Sequence, residues 1–231
     1  MSAPLRPACG PPPGIVDVWT IALDDPALAH AELAATLDHD ERRRAGRMRA
    51  GREWAAARGA RRMILASYMD VSPTAIRYTE LGKPALALAN GIRFSSADTA
   101  GFAVVAVASD REVGVDVERE GENAEAVLDA LPGLGEQIRR LPPERRGAAL
   151  LAHWVRFEAT LKVSGTPLWE GLRHELSIGT DVFAPPARTI PPTGVVARDL
   201  ELRPGYAVAV AATGDDWSVR IREFSPATLH V

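Results

Sequence analysis

A chain of 231 residues with 46% hydrophobic and 25% charged residues has the composition of a globular protein, long enough for one large or two small packed units. Its formal net charge of −3 argues against a dedicated nucleic-acid binder, which needs a strongly basic surface. The single cysteine, Cys9, excludes an internal disulfide and a thiolate metal cluster, and no apolar run approaches the ~20 residues needed to span a membrane.

The first fourteen residues, MSAPLRPACGPPPG, are rich in Pro and Gly without the apolar core of a signal peptide, so a flexible lead and a cytoplasmic location are expected. Ordered structure is expected from Ile15, because IVDVWTIAL (15–23) is dense in β-branched and aromatic residues and reads as a strand. Pro26 opens a helical region through Leu37. Helices over His39–Arg49 and Glu53–Tyr68 follow and stop at the turn residues Asp70–Pro73. Next come a short strand at Ile76–Thr79, a Gly82-Lys83-Pro84 turn, and strands at Ile92–Ser95 and Phe102–Ala108. The polar turn SDRE (109–112) suggests that Phe102–Ala108 pairs with Val113–Glu118. Ala124–Arg146 is weakly patterned helix broken by prolines, and a well-marked helix covers Ala148–Ser164 up to Gly165. A Pro-rich connection, Ala184–Thr193, leads to two last strands, Tyr206–Ala211 and Trp217–Phe224. GFAVVAVA (101–108) and GYAVAVAA (205–212) echo each other, each followed by a polar turn and a further strand. The echo is either convergence between apolar strands or the trace of two related halves.

Three groups of residues carry chemistry. In V-G-V-D-V-E (113–118) alternate residues share a strand face, so Val113, Val115 and Val117 suit a core while Gly114, Asp116 and Glu118 line the other side. Two carboxylates at i and i+2 repel one another. A solvated edge answers this, and so does a hard divalent cation held by carboxylates and substrate phosphates, with Gly114 leaving room for a ligand. In the later helix, Trp154, Glu158 and Lys162 recur at i, i+4 and i+8. A Glu–Lys pair at this spacing is an ordinary surface feature worth about 0.3–0.5 kcal/mol. The tryptophan in the same row, however, points to a partly buried face, where a carboxylate needs compensation. Finally, Arg42, Arg43, Arg44, Arg47, Arg49, Arg52, Arg58, Arg61 and Arg62 crowd into one stretch. They form a solvated helical face or, since the guanidinium fork suits phosphate oxygens, an anion-binding surface.

With these motifs in view, the chain resembles the Sfp-type phosphopantetheinyl transferases over nearly its whole length, from about Val16 to Phe224. VGVDVER (113–119) and WVRFEATLKVSG (154–165) match the family patterns G-x-D-x-E and W-x-x-K-E-A-x-x-K, while LGKP (81–84) and PGYAVAV (204–210) fit its remaining landmarks. The resemblance implies a mixed α/β (α+β) fold of two similar halves, residues 15–112 and 113–231, related by a pseudo-twofold with coenzyme A in the cleft between them. It implies transfer of 4′-phosphopantetheine from coenzyme A to a serine of an apo acyl or peptidyl carrier protein of fatty acid, polyketide or nonribosomal peptide synthesis, with release of 3′,5′-ADP. The cofactor implied is Mg²⁺, for which Mn²⁺ substitutes, and the enzyme implied is a monomer that binds neither nucleic acid nor membrane. Residue by residue, Asp116, Glu118 and Glu158 match the metal ligands. Asp116, Glu158 and Lys162 form the implied catalytic set, with Glu158 taking the proton of the attacking serine. Arg44, Arg52, Arg58, Lys83, Pro84, Ser96, Asp98 and Lys162 fall where the family holds coenzyme A.

Two positions depart from the pattern. Asp98 stands where most members carry a histidine that touches a coenzyme A phosphate, and Phe157 stands where a lysine precedes the catalytic glutamate. They leave open a homologue that binds coenzyme A or a carrier protein without transferring anything.

Overall fold

The computed structural model describes residues 10–79, 83–87, 91–121, 132–172 and 194–226. Contacts divide the chain into two units, residues 1–110 with 217–231, and residues 111–216. The mixed α/β class expected from the sequence is observed, with one sheet in each unit.

The first unit is organised around β1 (Ile15–Ala22), whose β-branched and apolar residues are buried on both faces. It pairs antiparallel with β3 (Phe102–Ala108), with Trp19 opposite Val105, and β2 (Arg93–Thr99) adds to the far side of β3. β3 is buried along its whole length, as its unbroken apolar run implies. Helix α3 (Gly51–Met69) contributes Ala56, Ala60, Ile64 and Leu65 to one cluster with Trp19, Ile21, Val105 and Val107. Side chains such as Ile21, Ile64 and Leu65, fully buried here, stabilise by about 1.5–3 kcal/mol each. Helix α1 (His30–Ala35) approaches α3 so closely that a Cβ on Gly59 would stand 2.2 Å from the Leu33 carbonyl oxygen.

Helix α2 (His39–Ala45) starts at a capping box in which Asp38 and Glu41 satisfy each other's backbone N–H, worth about 1 kcal/mol. Arg62 ties this helix to its neighbours. Its guanidinium is buried and donates to Glu41 (2.7 Å), Asp38 (2.9 Å) and the carbonyl oxygens of Pro73 (3.2 Å) and Ile76 (2.9 Å). The strand expected at Ile76–Thr79 is reduced to a single bridge, Tyr78 to Leu86, after a 3-10 turn at Pro73–Ala75.

The second unit is an antiparallel sheet in the order β4 (Val113–Arg119), β6 (Tyr206–Thr213), β5 (Val195–Asp199). Helix α4 (Pro132–Arg139) precedes α5 (Pro143–Ser164), which covers one face of that sheet. Proline in the first turn and Gly165 in the left-handed region, at φ 72°, fix the ends of α5. On the face toward α5, Gly114, Asp116 and Glu118 lie opposite Ala211, Ala209 and Ala207 of β6. These small partners let Val155, Ala159 and Val163 settle onto the sheet. A Cβ on Gly114 would stand 1.9 Å from the Ala159 carbonyl oxygen. The space that Gly114 leaves is therefore filled by helix backbone and not, as its sequence position suggested, by a ligand.

The pairing of Phe102–Ala108 with Val113–Glu118 suggested by the SDRE turn does not form. β3 joins β1 and β2, β4 joins β6, and β7 (Ser218–Glu223) leaves β6 to run parallel to β1, with Asp17 opposite Arg220. The last strand thus sits in the sheet that holds the first. The fully buried Asp17 carboxylate gives the physical reason. It accepts from Arg220 Nε (2.6 Å) and Nη2 (2.9 Å) and from the Tyr68 hydroxyl, which itself accepts from Trp19 Nε1 (2.9 Å). A buried carboxylate needs such partners, and β7 supplies the guanidinium. Burial and the bond to Asp17 push the Tyr68 hydroxyl well above its ordinary pKa.

No described helix is long and apolar enough to cross a membrane. Leu81, Gly82 and the Pro-rich connection 184–193 lie outside the described residues.

Candidate active site

In the second unit, β4 presents Asp116, and α5 presents Glu158 and Lys162 one turn apart. Lys162 Nζ lies 2.6 Å from Asp116 Oδ1 and 3.8 Å from Glu158 Oε2. Asp116 is 3% exposed, and its second oxygen, Oδ2, is buried without a hydrogen-bond partner. Burial pushes the carboxyl up from 3.8 to about 7. Lys162 pulls it down through charge and hydrogen bond, while Glu158 and Glu118 push it up. Loss of hydration outweighs the lysine here. Glu118, half-buried two residues along the strand, therefore shares an electrostatic neighbourhood with the other two acids.

The donor set is all carboxylate oxygen, which suits a hard cation such as Mg²⁺, and Asp116 Oδ2 is a buried acceptor with capacity to spare. Among the described residues, no group of three or more His, Cys, Asp or Glu side chains is arranged to hold a metal ion as it stands. Lys162 bridges Asp116 and Glu158 instead. The residues fit the chemistry of a divalent cation, and the lysine would have to give up Asp116 Oδ1 for that oxygen to serve as a ligand.

Trp154, in the same row as Glu158 and Lys162, is half-buried and packs against Phe157, with ring centroids 6.2 Å apart. Phe157 itself is 2% exposed. The position that carries a lysine in the family pattern points here into packed surroundings, where an ammonium group would lose its hydration. His153 is also buried.

In the first unit, α3 gathers the second set. The guanidinium carbons of Arg44 and Arg58 lie 5.3 and 5.1 Å from the Trp54 ring centroid, contacts that ease their crowding. Arg58 Nε is buried without a hydrogen-bond partner. Burial, then the charge of Arg61, lowers the Arg58 pKa to about 10, against the opposing charges of Asp98, Tyr78 and Glu41. Asp98 is thus a partial counter-charge to Arg58. Arg61, 4% exposed, donates from Nε to the Tyr78 hydroxyl (3.1 Å) and from Nη1 to Ser96 Oγ (3.3 Å). It joins β2, where Ser96 and Asp98 alternate onto one side, to the segment that carries Lys83 and Pro84. That segment is closed by Thr79 N–H donating to the Ala85 carbonyl at 2.8 Å. Arg52 is exposed at the start of α3.

Trp54 is the member of this set that the sequence does not single out, and Arg61 stands out there only as one of the nine crowded arginines. The available signal was the spacing 54, 58, 61, which places Trp54, Arg58 and Arg61 on one face of a helix.

No family model matches the chain. Over 216 residues, covering 87% of this chain and 89% of the relative, it is 32% identical to the 4′-phosphopantetheinyl transferase HetI of a Nostoc species.

Proposed function

The chain belongs to the Sfp-type phosphopantetheinyl transferase family, and on that premise we propose that it moves 4′-phosphopantetheine from coenzyme A to a serine of an acyl or peptidyl carrier protein in a Mg²⁺-dependent reaction. One observation supports the reading above all. The two buried side-chain polar atoms left without a partner among the described residues are Arg58 Nε and Asp116 Oδ2. One is a donor suited to an anion and the other an acceptor suited to a cation, on residues that match the family's phosphate and metal positions. Such an orphan costs about 1–3 kcal/mol, and a bound ligand would offset it.

In this mechanism Arg44, Arg52, Arg58 and Lys83 hold the phosphate groups of coenzyme A, each guanidinium donating paired N–H groups to phosphate oxygens. Mg²⁺ held by Asp116, Glu118 and Glu158 would supply charge neutralisation at the pyrophosphate. Lys162 adds a positive charge beside the same oxygens. Glu158, half-buried at the edge of the cluster, accepts the proton of the carrier serine as that hydroxyl oxygen attacks phosphorus. The new bond joins serine to the phosphopantetheine phosphorus, and the bond to 3′,5′-ADP breaks. Asp98 favours a second reading, a homologue that binds coenzyme A without transfer, because its charge diminishes the field that Arg58 offers a phosphate.

Release of 3′,5′-ADP decides between the two. With coenzyme A, Mg²⁺ and an apo carrier protein, release is expected, and it is expected to stop when the carrier is omitted or EDTA is added. Coenzyme A binding without any release would establish the non-transferring homologue.

A further inference from the structure

A close helix-to-sheet contact in the second unit lies beside the carboxylate cluster. A Cβ on Gly114 would meet not only the Ala159 carbonyl oxygen at 1.9 Å but also the Val163 backbone nitrogen at 2.9 Å. Ala159 and Val163 form one i, i+4 row of α5, and Glu158 and Lys162 form the adjoining row. The residues that rest on Gly114 therefore directly follow the two that face Asp116. On the strand, Gly114 and Asp116 are two positions apart and share the face toward the helix. The atoms that would be displaced belong to the backbone, so no rotamer change can absorb an added methyl group. Any side chain at 114 lifts α5 from β4 at the level of the cluster.

We propose that Gly114 is a positioning residue for the transfer reaction: by letting the α5 backbone rest on β4, it sets the spacing between Asp116 and the Glu158–Lys162 row. This rests on the transfer reading above. Gly114 touches neither substrate nor metal. It acts through the placement of Glu158 and Lys162, and a displacement on the order of 1 Å at such groups costs about a hundredfold in rate. Disturbing the support of metal ligands costs about ten- to a hundredfold in metal affinity.

The test compares Gly114→Ala with Gly59→Ala, which disturbs a comparably close backbone contact, at the Leu33 carbonyl (2.2 Å), in the other unit. For the wild type and both variants, Mn²⁺ affinity is measured on the protein alone. The coenzyme A KM and the kcat of transfer are measured separately, and melting temperature is followed alongside. Gly114→Ala is expected to weaken Mn²⁺ binding about tenfold or more and to lower kcat about a hundredfold with little change in KM. Gly59→Ala is expected to lose melting temperature while keeping its Mn²⁺ affinity. Should Gly114→Ala fail to fold, Ala209→Val carries the same comparison. Ala209 is fully buried opposite Asp116 and packs with Ala159, so the larger side chain lifts the helix from the neighbouring strand. Equal Mn²⁺ affinity in the Gly114 variant and the wild type, or parallel losses in the Gly114 and Gly59 variants, would overturn the positioning role. A wild type that neither binds Mn²⁺ nor transfers would instead overturn the transfer reading, and the role of Gly114 with it.

Discussion

Replacing Asp116 by asparagine separates what this carboxylate does for folding from what it does for the reaction. In the metal-free protein its proton is held up to about pH 7, against 3.8 for an ordinary aspartate, chiefly by burial and in spite of Lys162. A carboxyl whose folded-state pKa is raised stabilises the fold fully below the unfolded value, and that contribution is lost as pH rises through the folded one. The loss between about pH 4 and pH 7 amounts to at most about 4 kcal/mol, at 1.36 kcal/mol per pH unit. Asparagine does not titrate and escapes this loss, which already includes the opposing pull of the 2.6 Å contact with Lys162. A gain of at most about 4 kcal/mol at pH 8 in EDTA is expected, which for a chain of this size raises Tm by up to about 8–16 °C.

Scanning calorimetry of both proteins in EDTA from pH 5 to 8 measures it. The wild type should lose Tm across that window relative to the variant, and at pH 5 the advantage of the variant should fall to less than half its value at pH 8. Adding Mg²⁺ and coenzyme A should reverse the order at pH 8, because a ligand that binds only the folded wild type stabilises only the wild type. Transfer should be abolished in the variant under all conditions. A variant less stable than the wild type at pH 8 in EDTA, or a Tm difference that does not change with pH, would refute the claim that burial dominates the electrostatics of Asp116.

Arg58→Ala removes the orphaned donor beside Trp54, and coenzyme A binding measured by calorimetry should weaken about tenfold to a hundredfold, the value of a hydrogen bond to a charged group, with Tm nearly unchanged. Phe157→Lys restores the lysine of the family pattern at a position 2% exposed. Urea unfolding should show a loss of about 3 kcal/mol, with no gain in transfer rate. Arg62→Leu strips the partners from Asp38, Glu41 and two carbonyl oxygens, and should cost about 3–5 kcal/mol in the same experiment, as removal of one member of a buried ion pair does.

Much of the fold is legible in the sequence because its signals are local. The unbroken run of β3, the alternation of Val113–Glu118 and the Gly165 stop after α5 each mark an element from within its own residues. Strand partners are a different matter. SDRE (109–112) looks like a hairpin turn, yet Phe102–Ala108 and Val113–Arg119 enter different sheets. What assigns β7 to β1 is an ion pair between Asp17 and Arg220, 203 positions apart, and no window of residues contains both. At the candidate site, residue types at fixed spacing pick out Asp116, Glu158 and Lys162. Gly114 was misread as room for a ligand, because a missing side chain shows that something comes close without showing what. Among nine crowded arginines, only their hydrogen-bond partners in the fold distinguish Arg58, with its orphaned Nε, from Arg62, which is fully satisfied.

Transfer itself is tested most directly by intact-mass spectrometry of an apo carrier protein incubated with the enzyme, coenzyme A and Mg²⁺. The expected result is a mass gain of one phosphopantetheine arm on the carrier, absent in EDTA and absent with Asp116→Asn. No gain on any of several carrier proteins, under conditions where coenzyme A still binds, would contradict it.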